Sequence, residues 1–442
     1  VPSAGAGDAA FVWYWNLFKE AETSAILSTK KSKITVFGIK YYCGNEGTGI
    51  LKTVNETVDV VIAGGGTAGH VAALQAARAG ITTSIIEAGT MLGGTKTAAG
   101  VYMTNHFFST ENPVVLGIPC ELYTKSKEIE GLPIPVCNQR WPVENPSYYS
   151  YINVPIYASI AEEEAVRAGV ILHYHEFIAD VGVVGDYWEI VSLGRGIRRI
   201  TKAKEIIDCT GDSDVVRILG LGVLRDRVRQ PGAYQYKIEG IEYEQIWDGE
   251  VQTLYDEAME SGILQKGDFA YLNSLPFRYY LAHGGHNGTH IYDADTSDAE
   301  GQTRANLEGR ARMLRMFKFV TSSIPGCERA VLKTMYPHGL ARETYRTEGE
   351  YIVTKADFLN ATDFEDKVCN AFNYIDMHNE ETGCDVYFHE SKDLLPKVPF
   401  RALIPKGSSR ITVAGRIVSA DRVALAGIRA QCTCMAMGQA MG

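Results

Sequence analysis

Asp376 and His378 are the residues whose types and spacing most directly suggest acid–base chemistry. On a β-strand, side chains two positions apart face the same side, so the carboxylate would orient the imidazole and raise its basicity. A neutral imidazole is well matched to accept a proton at neutral pH. The pair is also compatible with the start of a metal site, but no third ligand stands at a useful spacing, so we expect no metal.

Three arginines and a second histidine are further candidates. Arg342 and Arg346 flank Glu343 in a charged run that precedes an apolar strand, so part of this charge should be buried. Arg401 and His338 are the other two candidates. Guanidinium groups can hold an anionic substrate or stabilise negative charge in a reduced cofactor. For each of these residues alone, a structural salt bridge is the simpler explanation.

A glycine-rich loop near the start of the chain predicts the element that positions this chemistry. Val58–Ala63 is an apolar run typical of a buried parallel strand, and an Ala-rich helix follows the loop. In the Gly-x-Gly-x-x-Gly motif, Gly64 permits the tight turn, Gly66 admits a pyrophosphate and Gly69 allows close helix–strand packing. Glu87 ends the next strand and is placed to accept hydrogen bonds from a ribose. The sequence therefore predicts a dinucleotide site.

Three later segments favour FAD over a nicotinamide cofactor. Gly93 and Gly94 precede hydroxyl residues, where the backbone must pass close to a flavin diphosphate and ribityl chain. Apolar strands then end in the turns at 210–212 and 415–416, which would return the chain to the cofactor. The predicted cofactor-binding residues are Gly64, Gly66, Thr67, Ala68, Gly69, Glu87, Ala88, Gly93, Gly94, Thr95, Thr97, Ile178, Thr210, Gly211, Asp212, Gly415, Arg416, Asp421 and Ile428.

The end of the chain is rich in small residues, which predicts a helix that approaches the cofactor closely. We expect this last helix to begin near Gly427 and to direct its N-terminus at the pyrimidine side of the flavin ring, where the helix dipole would stabilise negative charge. His70, in the first helix, is interpreted as a partly exposed residue, with a phosphate contact as the alternative. Cys432 and Cys434 form the closest cysteine pair, and a helix start there could lower a thiol pKa.

The chain resembles the FAD-dependent oxidoreductases of the glutathione-reductase-like flavoprotein superfamily, in a branch sometimes labelled xanthan lyase. The resemblance covers most of residues 58–442 and implies that the strands carrying Asp376, His378 and the candidate arginines meet at the flavin. Besides the glycine motif, it rests on Arg342–Arg346, Gly349–Tyr351, Tyr374–His378, Val398–Gly407, Gly415–Arg422 and Cys434–Gly442.

The fold class expected from this resemblance is α/β: a Rossmann-like FAD-binding domain of the glutathione-reductase-like type, with an inserted α+β substrate or cap domain. The predicted boundaries are an N-terminal extension at 1–54, FAD-binding segments at 55–225 and 395–442, and the inserted domain at 226–394. Alternating residues between 171 and 206 predict an antiparallel sheet. The insertion is rich in Tyr and His.

Composition is that of an ordinary enzyme. A net charge of -10 argues against nucleic-acid binding, and no apolar run is long enough to span a bilayer. Nine cysteines without a paired framework favour a reducing compartment, so we expect a cytoplasmic protein, with a secreted or periplasmic location left open. Five basic residues between 304 and 318 are interpreted as the solvated face of a helix whose apolar face carries Leu307, Ala311, Leu314 and Phe317.

The predicted function is an FAD-dependent dehydrogenase or oxidase that transfers a hydride between a small polar substrate, with a CH–OH or CH–CH donor, and flavin N5. No second glycine motif follows a strand, so electrons should pass to an external acceptor: oxygen, a quinone or a carrier protein. The alternatives are a flavin-dependent reductase of an activated double bond and an electron-transfer flavoprotein subunit. A homo-oligomer is compatible with the sequence.

Overall fold

The structure is a computed structural model of the 442-residue chain. It describes residues 33–36, 39–42, 51–104, 107–108, 113–133, 151–242, 247–271, 275–387 and 394–442. Two compact units divide the chain, Val1–Lys52 and Thr53–Gly442. In the first unit, the described residues form an antiparallel hairpin of β1 (Lys33–Val36) and β2 (Ile39–Tyr42).

The rest of the chain alternates strands and helices. Its strands are β3 (Lys52–Thr57), β4 (Val60–Ala63), β5 (Thr83–Glu87), β6 (Ile171–Tyr174), β7 (Glu176–Val184), β8 (Tyr187–Gly194), β9 (Ile197–Ala203), β10 (Glu205–Asp208), β11 (Val223–Leu224), β12 (Tyr236–Glu239), β13 (Val331–Met335), β14 (Arg346–Thr347), β15 (Lys367–Asn370), β16 (Ile375–Asn379), β17 (Gly383–Tyr387), β18 (Lys397–Pro399) and β19 (Ile411–Val413). Its helices are α1 (Gly69–Arg78), α2 (Ile118–Glu130), α3 (Val154–Arg167), α4 (Asp214–Ile218), α5 (Asp248–Glu260), α6 (Arg278–Ala282), α7 (Ala299–Ser323), α8 (Lys355–Leu359), α9 (Arg422–Ile428) and α10 (Gln431–Met441).

A five-stranded parallel sheet of order β19-β10-β4-β5-β6 is the centre of the second unit. Its inner strands are buried almost throughout, as expected where both faces of a parallel sheet are covered. The predicted strand, glycine loop, helix and second strand are all present in this order. The structure thus confirms a mixed α/β fold built on a parallel sheet.

The same unit contains a second, antiparallel sheet of order β3-β9-β8-β7. Its alternating burial agrees with the alternation that predicted an antiparallel sheet after residue 171. The prediction was wrong for Ile171–Tyr174, which pairs parallel to β5 instead. A short apolar segment beside a buried strand can join either sheet, and the strand spacing alone does not decide which.

Two buried apolar clusters organise the unit. One contains the parallel sheet, its helices and residues from 353 to 437. The other contains residues between Tyr234 and Ala341, including a set of stacked and edge-on aromatic rings around Phe277. The predicted inserted domain at 226–394 and its boundaries stay a prediction.

Helix α7 buries a different face from the one predicted. Leu307 and Leu314 are exposed, whereas Gly309, Met316 and Val320 are buried. The basic residues are not all solvated either, because Arg312 and Arg315 both bind the fully buried carboxylate of Asp268. The buried acid selects the face of the helix that carries its arginine partners.

The last helix also begins later than predicted. Helix α9 ends at Ile428, and α10 starts at Gln431 after the extended residue Ala430. The small residues around Gly427 lie inside α9, where a Cβ on Gly427 would lie 2.2 Å from the Phe358 ring, so they serve helix packing. Among the described residues, no helix is both long and apolar enough to cross a membrane.

Candidate functional site

A cavity of about 500 Å³ opens at the carboxyl ends of β4, β10 and β19. Ligands of open α/β sheets bind at this edge, and the volume is that of an ordinary small-molecule site. Most of the predicted site residues line it. They are Gly64, Gly66, Thr67, Ala68, Glu87, Ala88, Gly94, Thr95, Thr210, Gly211, Asp212, His338, Arg342, Asp376, His378, Gly415 and Arg416.

The glycine loop has the close contacts that its spacing predicts. Gly64 has φ +89°, and a Cβ there would lie 2.7 Å from the carbonyl oxygen of Cys209. A Cβ on Gly69 would lie 1.9 Å from the Gly64 oxygen, so only glycine fits where α1 meets β4. A Cβ on Gly66 would have its nearest neighbour, the Cys209 carbonyl oxygen, 3.8 Å away, so this position is open to the cavity. The loop thus presents bare backbone and the N-terminus of α1 to a ligand.

His70 is buried, which corrects its interpretation as a partly exposed residue. Its Nδ1 lies 2.8 Å from the Gly66 carbonyl, and its Nε2 lies 3.0 Å from the Tyr157 hydroxyl. Because a carbonyl only accepts, Nδ1 carries the proton and Nε2 accepts from Tyr157. His70 therefore ties the glycine loop to helix α3.

Glu87 joins the loop after β4 to the loop after β5 at one end of the cavity. Its carboxylate accepts hydrogen bonds from the backbone N–H groups of Gly65, at 2.7 Å, and Gly89, at 2.6 Å. Burial raises the pKa of Glu87, although both N–H groups act in the opposite direction. A buried acceptor at this position matches the predicted role as a ribose ligand.

Arg416 fastens the turn after β10 to the turn after β19. It donates to the Gly211 carbonyl at 2.6 Å and pairs with Asp212 at 2.8 Å. The hydroxyl of Thr344 also donates to Asp212. Both ends of this ion pair are thereby used within the protein, so Arg416 and Asp212 shape the cavity wall.

Six predicted cofactor residues do not line the cavity: Gly69, Gly93, Thr97, Ile178, Asp421 and Ile428. The carbonyl of Gly93 accepts from the Thr67 hydroxyl, and the Thr97 hydroxyl donates to the carbonyl of Leu92. Asp421 caps α9 by accepting from the Ala424 N–H at 2.7 Å. Ile178 belongs to the β7 ladder, and Ile428 is fully buried. Their positions are structural.

Two predicted catalytic arginines also do not line the cavity, and their catalytic role stays a prediction. Arg346 is buried and pairs with Asp226 at 2.6 Å. Arg401 is half exposed, pairs with Asp366 at 3.0 Å and lies over the Tyr351 ring. Each of these side chains forms an ion pair with a neighbouring carboxylate, which directs it away from the cavity.

Asp376 and His378 lie on β16 as predicted, and a second histidine extends the pair. His378 Nε2 lies 3.1 Å from Asp376 Oδ2, while His378 Nδ1 lies 2.8 Å from His290 Nε2. An ionised carboxylate only accepts, so the neutral His378 carries its proton on Nε2, and His290 donates to Nδ1. His290 Nδ1 is buried and has no hydrogen-bond partner among the described residues. We call these three residues the Asp–His–His chain.

The charges around this chain keep His378 neutral at neutral pH. Burial and then the positive charge of Arg342 lower the pKa of His378 to about 4, and Asp376 only partly offsets this. Burial alone would raise the pKa of Asp376, but His378, Arg429 and Arg342 hold it well below its usual range. The resting chain is thus one carboxylate and two neutral imidazoles.

Two arginines face this chain from the cavity wall. Arg429 Nη2 donates to the Asp376 carbonyl at 2.9 Å and lies 3.5 Å from its carboxylate. Arg342 donates through Nη1 to the carbonyls of Pro231 and Gly232. Burial, followed by the repulsion of Arg429, lowers the pKa of Arg342 to about 10, so Arg342 is still charged at neutral pH.

Cys384 provides the third potential metal ligand that the sequence spacing did not show. Its thiol donates to Asp376 Oδ1 at 2.9 Å, and ligand atoms of Asp376, His378 and Cys384 lie within 4.8 Å of one another. The guanidinium groups of Arg429 and Arg342 already compensate the Asp376 carboxylate. A further cation there would be repelled, so the geometry fits a hydrogen-bonded cluster better than a metal centre.

The cysteine pair of helix α10 is buried. Burial raises the pKa of both the Cys432 and the Cys434 thiols to about 12, against the expectation of a lowered thiol pKa. None of the seven cysteines in the described part of the chain is in a disulfide bond.

The sequence model of the FAD dependent oxidoreductase family matches residues 59–442. The chain belongs to this family. It is an FAD-dependent oxidoreductase, and FAD is its cofactor. A comparison with curated proteins found no match.

Several solved structures resemble part of the chain. OxyS anhydrotetracycline hydroxylase from Streptomyces rimosus is 15% identical, with a TM-score of 0.28 over 41% of this chain and 39% of its own. A flavoprotein/dehydrogenase from Cytophaga hutchinsonii is 19% identical, with a TM-score of 0.31 over 42% and 47%. THI4 from Thermovibrio ammonificans is 16% identical, with a TM-score of 0.27 over 50% and 74%. The alignment with OxyS thus spans about two fifths of that enzyme.

The cavity residues fit FAD. The open side of Gly66, the N-terminus of α1 and the buried acceptor Glu87 are what a pyrophosphate and a ribose require. At the other end, Gln431 Oε1 and Arg429 Nε are buried without hydrogen-bond partners in the described part of the protein, as polar atoms awaiting a ligand would be. The first turn of α10, with Gln431 and Cys434, lines this end in place of the predicted helix start near Gly427.

Proposed function

We propose that this enzyme oxidises a small polar substrate by removing a hydride and a proton, with CH–OH and CH–CH donors as the leading reaction types. The Asp–His–His chain beside the cavity carries the proposal, because it is a prepared proton acceptor. When bound, FAD supplies the two-electron acceptor that takes the hydride at its ring N5. The presence of the Asp–His–His chain at one end of the cavity supports a substrate enzyme over an electron-transfer subunit, which would need no proton acceptor.

Both nitrogens of His378 have protein partners, which determines how the proton is accepted. The open lone pair of the chain is His290 Nδ1. His290 is buried and does not line the cavity, whereas His378 does, so a proton released in the cavity would reach His290 Nδ1 through a bridging group such as a water. Once there, it allows His290 to pass its Nε2 proton to Nδ1 of His378. The positive charge then rests on His378, where the Asp376 carboxylate compensates it. Asp376 and His290 thus position and couple the base, and His378 holds the charge.

The charge state of the chain supports the oxidative direction of this proposal. A proton acceptor must be neutral at the start of the reaction, whereas a reductase of a double bond would need a protonated donor. The low pKa of His378 leaves it neutral across the physiological range. This favours oxidation of the substrate over the reverse reaction.

The finer assignments stay proposals that rest on the sequence. They are the glutathione-reductase-like superfamily, its branch sometimes labelled xanthan lyase, and an inserted cap domain over the cavity. Electrons would leave to oxygen, a quinone or a carrier protein, since no second glycine motif follows a strand.

An anaerobic screen of flavin bleaching tests the proposal. Sugars, polyols, hydroxy acids and dicarboxylates are mixed with the holoenzyme, and the loss of flavin absorbance is followed. For a substrate that bleaches the flavin, His378→Ala should slow reduction by roughly 10²- to 10⁴-fold while FAD stays bound, as expected for loss of a general base. His283→Ala is the matched control, because His283 is exposed and lies outside the cavity. Equal reduction rates for His378→Ala and the wild type would refute the assignment of the base.

A further inference from the structure

We infer that the substrate carries a carboxylate and that Arg342 binds it. The inference rests on the proposed function, since it names the substrate class of the same site. It is motivated by the donors of Arg342 that the protein leaves unused. Nη1 binds two backbone carbonyls, while Nε and Nη2 have no hydrogen-bond partner in the described part of the chain.

The charge of Arg342 is unpaired, unlike that of the arginines around it. Arg416 pairs with Asp212 at 2.8 Å, Arg429 lies 3.5 Å from Asp376, and Arg422 pairs with Glu343 at 2.7 Å. Among the described residues, no carboxylate lies within 4 Å of Arg342. Asp376 also faces His378 and Arg429, so its single negative charge is shared.

A buried cation without a counter-ion is costly, and a bound anion would offset that cost. The desolvation of Arg342 is visible in its lowered pKa. The substrate end of the cavity holds two guanidinium groups, Arg342 and Arg429, against the one carboxylate of Asp376. One negative charge on the substrate would balance the site.

The free donors also have the geometry of carboxylate recognition. Nε and Nη2 lie on one edge of the planar guanidinium group, and this edge matches the two oxygens of a carboxylate in a bidentate contact. The carbonyls of Pro231 and Gly232 hold the opposite side of the group through Nη1, which fixes its orientation before a ligand binds. Such preorganisation reduces the entropic cost of binding.

Binding of a carboxylate would also strengthen the base. Arg342 is the largest electrostatic influence after burial that lowers the pKa of His378. Neutralising Arg342 with a bound anion removes part of that effect and raises the proton affinity of the Asp–His–His chain. A hydroxy acid would thus bring both the group to be oxidised and the charge that activates its proton acceptor.

The test measures binding of unreactive ligands to the holoenzyme. Acetate, oxalate, malonate, acetamide and inorganic phosphate are titrated at constant ionic strength, and both the flavin absorbance and the melting temperature are recorded. We expect the carboxylates to bind and acetamide not to bind. Arg342→Gln should weaken carboxylate binding by roughly 10- to 100-fold, the range for losing hydrogen bonds to a charged group. Arg342→Lys should retain part of the affinity, and Arg401→Gln, which changes an exposed arginine outside the cavity, should have no effect.

Several results would overturn the inference. These are equal carboxylate binding by the wild type and Arg342→Gln, binding of acetamide as tightly as acetate, preference for phosphate, or no binding at all. The flavin absorbance at full FAD occupancy shows that each variant is folded. Bleaching by neutral alcohols without carboxylate binding would refute this inference and leave the proposed oxidation standing. Carboxylate binding that depends on Arg342, without bleaching of the flavin by any donor, would support this inference and refute the proposed oxidation.

Discussion

Replacement of His70 by Gln should remove a large part of the acid sensitivity of the fold. His70 is buried, and burial lowers its pKa from 6.5 to about 4. The folded state thus favours the neutral ring, while the unfolded chain takes up a proton near pH 6.5. The stability contributed by this difference is fully present above pH 6.5 and is lost as the pH falls towards 4.

The magnitude follows from the size of the shift. A pKa difference between 6.5 and about 4 corresponds to about 3 kcal/mol of unfolding free energy. Gln at position 70 can still donate to the Gly66 carbonyl and accept from the Tyr157 hydroxyl, but it does not titrate. The free energies of the two proteins should therefore be similar at pH 7.5, and the wild type should lose about 3 kcal/mol more by pH 4.

Urea unfolding of both holoproteins at half-unit pH steps between 4 and 8 measures this difference. His378 is buried with a similarly lowered pKa and is present in both proteins, so its contribution cancels in the comparison. Parallel stability profiles for the wild type and His70→Gln would refute the reasoning, because a non-titrating side chain cannot reproduce a histidine-linked slope.

Two further predictions concern Glu87 and Asp268. Glu87→Ala should weaken FAD binding by on the order of 1–3 kcal/mol, because it removes an acceptor shared by Gly65 and Gly89. Reconstitution of the apoprotein followed by flavin fluorescence measures the effect, and an unchanged dissociation constant would contradict it. Asp268→Asn should destabilise the protein by about 3–5 kcal/mol, because it breaks a buried ion pair that serves two arginines. Urea unfolding measures the loss, and a stability within 1 kcal/mol of the wild type would argue that the pair is dispensable.

The parts of the site that the sequence predicts are those determined by neighbouring residues. In the glycine loop, Gly69 packs against Gly64 five residues earlier, so the spacing alone implies this contact, although the contact of Gly64 with Cys209 is tertiary. In the same way, Asp376 and His378 meet because two positions on one strand share a face. Local periodicity contains this information, and no tertiary contact is needed to extract it.

Residues whose roles depend on distant partners could not be predicted. His290 meets His378 across 88 residues of sequence, and Arg429 reaches Asp376 from the end of α9. Arg401 looked equivalent to Arg342 in the sequence, but Asp366 binds it at the surface. The direction of a long side chain depends on which carboxylate it reaches, and spacing does not encode that.

The substrate end of the cavity carries an excess of positive charge for the same reason. Carboxylate partners hold two of the predicted arginines within the protein, Arg346 through Asp226 and Arg416 through Asp212. Arg342 lies in the cavity wall without such a partner among the residues that the structure describes, and its position beside the Asp–His–His chain ties its charge to the basicity of His378. In a folded protein a buried charge without a counter-ion lowers stability. Such a charge is expected at a functional site, where a bound ligand supplies the opposite charge. The unpaired guanidinium is therefore the feature of this cavity most directly related to substrate recognition.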